Sequence, residues 1–216
     1  MMMLIHDAYS VESSMKNCIL LACFAVISML FSSCVFDEGC ENEASQIRVS
    51  VAGTQVLIDT YEASRTNATA QTAGTGITMA CNTKGTVPWG NVTYEDARNA
   101  CLDAGKRLCT KQEWIAACGA EGNYTYGASY VEGSCVVGSI ESAITGSKAS
   151  CRSSLGVFDM SGNMREWVEG GILMGGSYNS STGEVKCGSS KEVGDVLKYS
   201  PSAADGFRCC QDESLL

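Results

Sequence analysis

The chain has 216 residues, among them 13 Cys and 23 Gly against one His and two Pro, and a formal charge of -9. Its single histidine, His6, lies in a segment read below as a leader, so Ser-His-Asp or Cys-His catalysis and His-ligated zinc or iron are excluded for the mature chain. The acidic balance repels phosphate backbones and argues against a nucleic-acid partner, while the length suits one domain.

Residues 1–14 (MMMLIHDAYSVESS) do not resemble the start of a domain. From Met15 the pattern changes: Lys16 supplies a short positive region, 18–31 (CILLACFAVISMLF) is an apolar run, and Ser32, Ser33 and Cys34 follow. That is the layout of a secretory signal, so Met15 is the expected start and 1–33 the expected leader. The ending also resembles a bacterial lipobox, in which Cys34 takes lipid and becomes the first mature residue, although Phe31 stands where Leu is usual. An ordinary cleaved signal and an uncleaved anchor helix are the alternatives, the run being shorter than the roughly 20 residues a spanning helix needs. All three put the remainder in an oxidising compartment, and the lipobox reading puts it at a bacterial cell envelope with the membrane as a partner.

Once Cys18, Cys23 and Cys34 are set aside, ten cysteines remain, an even number that permits five disulfides. No Cys-x-x-Cys occurs, so a disulfide framework is a better reading than a zinc ribbon or a thioredoxin-type pair.

An acidic stretch over 34–46 is expected to be a tether. Ile47, Val49 and Val51 then alternate with polar residues, and Val56, Leu57 and Ile58 follow Gly53, which predicts a strand hairpin. The small, polar stretch 63–80 is expected to be a loop. In TYEDARNACLDAG, Thr93 caps a helix with Glu95 and Asp96 in its first turn and Ala97, Ala100, Cys101 and Ala104 on one face, ending at Gly105. In TKQEWIAACG, Thr110 and Glu113 form a capping box, Trp114, Ala117 and Cys118 share a face, and Gly119 stops the helix. Beyond 120 the chain is Gly- and Ser-rich without helical period. Ordering each such residue costs about 1–2 kcal/mol of conformational entropy, so cross-links, and a metal, are expected to help.

The succession VLIDTYEAS (56–64), VPWGNVTYEDARNAC (87–101), AGKRLCTKQEWIAAC (104–118), YTYG (124–127), GVFDMSGNMREWV (156–168), GGSY (175–178) and GFRCC (206–210) resembles the formylglycine-generating enzyme, or sulfatase-modifying factor, family over roughly 47–212. The resemblance implies a single loop-rich α+β domain related to C-type lectins. It also implies two disulfides, Cys101 with Cys209 and Cys118 with Cys187. Of the other six cysteines, Cys135 and Cys151 bracket a Gly/Ser loop and are expected to pair. Among Cys40, Cys81, Cys109 and Cys210 the expected pair is Cys81 with Cys109, the latter standing where the family more often has Pro.

Catalytic members of the family oxidise a substrate cysteine using oxygen and a copper ion held by two thiolates shortly after Gly-Gly-Ser-Tyr, a ligand set that suits soft Cu(I). Here that stretch, NSSTGEV (179–185), has no cysteine. Catalysis would need Cys187 free and a second ligand from Cys209 or Cys210, so no catalytic residue is expected and copper is not an expected cofactor. The resemblance also implies a Ca²⁺ site using the carboxylates of Asp159 and Glu166 and the carbonyls of Gly162 and Met164, with other oxygens completing a shell of about 6–8. The bland alternative is that both acids accept backbone N–H groups in a tight turn. Trp89, Trp114 and Trp167 are expected in the core, and Lys106 and Arg107 in a turn with partners on the domain. Gly74 and Gly76 lack the third glycine and helix of a nucleotide loop.

The leading reading is an exported, lipid-anchored, non-catalytic binding or structural module that takes a protein or glycan ligand at the envelope. One alternative is a copper-dependent formylglycine-generating or related thiol oxidase. Another is a ligand-binding lipoprotein diversified by a retroelement, with its variable side chains within 178–205.

Overall fold

The computed structural model describes residues 39–213. The expected leader and Cys34 lie outside them, and among the described residues no helix is long and apolar enough to cross a membrane.

Strands β1 (Ile47–Val51) and β2 (Thr54–Ile58) form the expected antiparallel hairpin, with Val49 facing Val56. Helix α1 (Tyr94–Asp103) is capped by Thr93, whose hydroxyl accepts from the Asp96 amide, and it buries Ala97, Ala100 and Cys101. After β3 (Arg107–Leu108), α2 (Lys111–Cys118) opens on the Thr110–Glu113 capping box and buries Trp114, Ala117 and Cys118. The glycine-rich half supplies only short strands: β4 (Arg165–Val168), β5 (Ile172–Met174), β6 (Ser190–Glu192), β7 (Asp205–Phe207) and β8 (Cys209–Asp212), with a 3-10 turn at Thr182–Glu184. Two four-stranded sheets result, ordered β1-β2-β8-β3 and β6-β5-β4-β7.

The last strand of the first sheet stands between two cores. Successive residues on a strand face opposite ways, so Cys209 packs with Trp89, Cys101, Trp167 and Phe207, while Cys210 packs with Val49, Ile58, Cys109 and Trp114. Each face carries its own cross-link, Cys101–Cys209 on one and Cys109–Cys210 on the other. Cys118–Cys187 and Cys135–Cys151 are also joined, as expected from the sequence.

The expected Cys81–Cys109 pair is not formed. Cys109 follows β3, whose Leu108 is paired with Cys209, and this places its thiol beside Cys210. Cys81 is paired with Ser64, and its neighbour Asn82 accepts from the amide of Ala44, which brings Cys40 within bonding reach. Cys40–Cys81 therefore fastens the acidic stretch expected to be a tether, and Lys106 reinforces the attachment by bridging Glu43 (2.6 Å) and buried Asp59 (3.0 Å). Arg107 likewise finds its partners on the domain, Glu113 and Asp212. The three tryptophans are buried.

Candidate functional site

Two features meet on the second sheet: a buried charge cluster behind β4 and a surface cleft beyond the end of β5.

The segment Asp159–Glu166 enters the interior with Asp159, Gly162, Met164 and Glu166 all buried. Glu166 is fully occupied. Its Oε2 accepts from Arg208 Nε (2.6 Å) and Trp114 Nε1 (2.7 Å), and its Oε1 accepts from Arg208 Nη2 (2.7 Å). Arg208, itself completely buried, also donates to the carbonyls of Asp59, Thr60 and Phe158. Glu62 accepts from the Met164 amide (2.9 Å) and the Asn163 carboxamide. Asp159 Oδ2 accepts from the Gly146 amide (2.6 Å).

Three buried carboxylates thus face one guanidinium, and a buried charge without a counter-charge is costly. Burial holds the Asp159 carboxyl up at about 6 against the pull of the Gly146 amide and Arg208. Burial, with Asp159 and Glu166 nearby, holds Glu62 well above the usual carboxylate range.

A hard cation would settle the same imbalance, and part of the donor set fits one. The buried carbonyls of Gly162 and Met164 accept no hydrogen bond from a described residue, and Asp159 Oδ1 has no described partner. No three His, Cys, Asp or Glu side chains converge as metal ligands among the described residues, so a Ca²⁺ ion here would lean on backbone oxygens and water. Glu166 would have to share its oxygens with Arg208.

The cleft, of about 370 Å³, lies where the chain leaves β5 through Gly175 and Gly176 and is bounded by Arg165, Ser180, Glu184, Ser190 and Lys191. Both glycines have positive φ, and a Cβ would stand 2.9 Å from the Trp114 ring at Gly175 and 2.4 Å from the Glu184 carbonyl at Gly176. Only glycine allows the chain to turn here over the α2 tryptophan.

The following segment is anchored at both ends. Ser177 is buried and hydrogen-bonded to Asn179 and Ser180, while Val185 is buried and Cys187 is bonded to Cys118. Between these anchors Asn179 and residues 181–184 are exposed. The Ser181 amide and hydroxyl both donate to Glu184 and hold its carboxyl below the usual range.

The opposite wall is equally fixed. Arg165 is paired with buried Asp205 (2.6 Å), which also accepts from Tyr199 and Ser202, and Lys191 donates to the Tyr199 hydroxyl (3.1 Å). Exposed polar side chains on a rigid frame are what a recognition surface requires. No thiol borders the cleft, and among the described residues all ten cysteines are in disulfides.

The order of elements, the two small sheets and the long cross-linked loops define a C-type-lectin-like domain of the formylglycine-generating-enzyme type. The family model described as sulfatase-modifying factor enzyme 1-like domain matches residues 20–213, and the chain belongs to that family. No curated protein matches it in sequence. Among solved structures, Treponema denticola variable protein 1 is similar at TM-score 0.55 and 14% identity, over 79% of this chain and 92% of that one. The P3c and M1 variants of a major tropism determinant are similar at TM-scores 0.52 and 0.51, each at 16% identity over 76% of this chain and 52% of the other. The chain thus spans about half the length of those determinants, and likeness at this identity speaks to the fold alone.

Sequence reasoning placed Asp159 and Glu166 in one motif but missed Arg208 as their counter-ion and Glu62 as the third buried acid. The only signal for Arg208 was its place in GFRCC, and a single arginine in a sequence does not announce that it is buried. Arg165 and Lys191, which wall the cleft, were also missed, since the strands that bring them together are four and three residues long.

Proposed function

We propose that this domain is an exported, non-catalytic binding module that presents the 179–203 surface to a protein or glycan ligand, anchored to the envelope by lipid on Cys34. The observation that carries this reading is chemical. The segment after Gly175-Gly176-Ser177-Tyr178, where the family's oxidases hold copper, offers hydroxyls, a carboxamide and a carboxylate, and the nearest thiol, Cys187, is bonded to Cys118. Without a free thiolate the two-thiolate ligand set that holds Cu(I) in the family's oxidases is missing. Incubated with a cysteine-containing peptide, Cu(I) and oxygen, the protein should give no aldehyde and no oxygen uptake above the protein-free control. Turnover would establish the oxidase instead.

One observation favours diversified recognition. Solved structures similar to this fold bear the names of a variable protein and of variants of a tropism determinant, and here the exposed positions of 179–203 stand on anchored backbone. In gene copies from several isolates, replacements should then concentrate at the exposed positions of 179–203 and spare Gly175, Gly176 and Cys187. An even spread would remove this reading.

The same proposal includes Ca²⁺ held by Asp159, Gly162 and Met164 with Glu166 at its edge. In the chain, the ion would neutralise buried carboxylates and order the 156–166 loop. Chelation is expected to lower the melting temperature of the wild type by several degrees, with calcium restoring it, because a ligand that binds only the folded state stabilises it by mass action. Asp159→Asn should erase that response. A wild type indifferent to chelator and to added calcium would leave the acids as acceptors in a tight turn.

A further inference from the structure

A second cleft, of about 450 Å³, opens beside the Cys118–Cys187 bridge, between the 119–127 turn and residues 152–154. It shares no lining residue with the cleft beyond β5, and its size is within the ~300–1,000 Å³ usual for small-molecule sites.

Its frame is rigid. Tyr124 and Gly127 exchange two backbone hydrogen bonds (2.8 and 3.0 Å), and buried Thr125 is tied through its amide to Ser161 and through its hydroxyl to the Cys118 carbonyl. On this turn the rings of Tyr124 and Tyr126 stack at 5.6 Å with 10° between their planes, and Tyr130 leans on Tyr124 at 5.6 Å. The Val131 amide donates to the Tyr126 hydroxyl (3.2 Å) and fixes that ring.

Several other hydrogen-bonding groups around these rings are unspent. The side chains of Asn123 and Ser154 and the phenols of Tyr124 and Tyr130 make no hydrogen bond with a described residue. Arg152 and Lys186 have no carboxylate within ion-pair distance among the described residues. Each cation lies instead 5.7 Å from the centroid of an aromatic ring, Arg152 at Phe158 and Lys186 at Tyr124. In a chain of formal charge -9, Arg152 on the lining of the cleft is a cation available to an anionic ligand, and Lys186 stands beside the lining ring of Tyr124.

We propose that this cleft binds a saccharide unit bearing a carboxylate. The half-buried Tyr126 ring, backed by buried Tyr124, offers a flat apolar surface for the C–H face of a pyranose ring, while Asn123, Ser154 and the Tyr124 phenol offer mixed donors and acceptors for hydroxyls. Arg152 offers the planar fork that a carboxylate accepts bidentately, and Lys186 a second positive charge. No helix N-terminus lines the cleft to favour a phosphate chain. The assignment is independent of the ligand of the 179–203 surface.

The test is calorimetric titration of the full chain with digalacturonate, diglucuronate and N-acetylneuraminate, and with galactobiose as the neutral counterpart of the first. At least one acidic sugar should bind saturably, and galactobiose should bind at least about tenfold more weakly than digalacturonate if the latter is the ligand, since charge-assisted hydrogen bonds are the strong ones. Arg152→Gln, at an exposed position, should weaken the acidic sugar about tenfold without moving the melting temperature, and Lys186→Gln should weaken it less. Absence of saturable binding by all three acids up to about 20 mM overturns the proposal. So does equal binding of galactobiose, displacement of the sugar by equimolar inorganic phosphate, or an Arg152→Gln protein that binds unchanged.

Discussion

Removing both bridges that end on β8 is expected to cost about 7 kcal/mol, whereas removing either one alone costs only about 2.5–3. The asymmetry follows from adjacency. Cys209 and Cys210 are consecutive, and their partners Cys101 and Cys109 are eight positions apart. While one bridge stands, the other closes a short loop of about ten residues, whose entropy in the chain-entropy model gives the smaller figure. Once one is gone, the survivor alone spans a separation of 108 or 101 residues and is worth about 4.5–5 kcal/mol. Such a loss approaches the whole stability of an ordinary domain, about 5–15 kcal/mol, so the quadruple Cys→Ala protein should be largely unfolded at ambient temperature. Urea denaturation of Cys101→Ala/Cys209→Ala, of Cys109→Ala/Cys210→Ala and of their combination measures this. Equal and additive losses would mean that the two bridges stabilise separate parts of the domain.

The second large effect is expected at Arg208. In the calcium-free protein, Arg208→Met removes the partner of Glu166 and leaves Glu62, Asp159 and Glu166 buried without a counter-charge, at a cost of about 3–5 kcal/mol. The melting temperature should fall by roughly 10 °C in a domain of this size. The Arg208→Met/Glu166→Gln protein should recover part of the loss, because a neutral carboxamide can still accept from Trp114 Nε1. It should not recover all of it, since the carbonyls of Asp59, Thr60 and Phe158 also lose their donor. A single variant as stable as the wild type would show that Arg208 is not the hub of the charge cluster.

How much of this was legible in the sequence depended on the kind of signal. The two helices announced themselves through Thr93, the Thr110–Glu113 box and faces of alanine and cysteine, and both formed within a residue of the expected limits. The hairpin was equally plain, because Ile47, Val49 and Val51 alternate with polar neighbours and the apolar run Val56, Leu57 and Ile58 follows Gly53. The second sheet was not legible. Strands of three or four residues in a glycine-rich chain carry no usable period, and their order is set by contacts between residues as distant as Arg165 and Asp205. The cysteine framework was legible in number, but the partners of Cys81 and Cys109 were not, because one depends on the 39–46 segment docking beside Asn82 and the other on which face of β8 each neighbouring cysteine takes. Along the candidate site, the absence of thiols after Gly-Gly-Ser-Tyr could be read directly. The charge cluster could not, since nothing in one dimension tells a buried arginine from an exposed one.

The family's fold is present here with all ten described cysteines joined as staples, and the non-catalytic reading proposed above rests on their staying so. Alkylation of the folded, unreduced full chain followed by peptide mapping tests it most directly. The expected result is no label on any of the ten cysteines from Cys40 to Cys210, with all ten labelled after reduction. Label on Cys187 together with a second of these cysteines in the unreduced protein, accompanied by bound copper, would contradict the account.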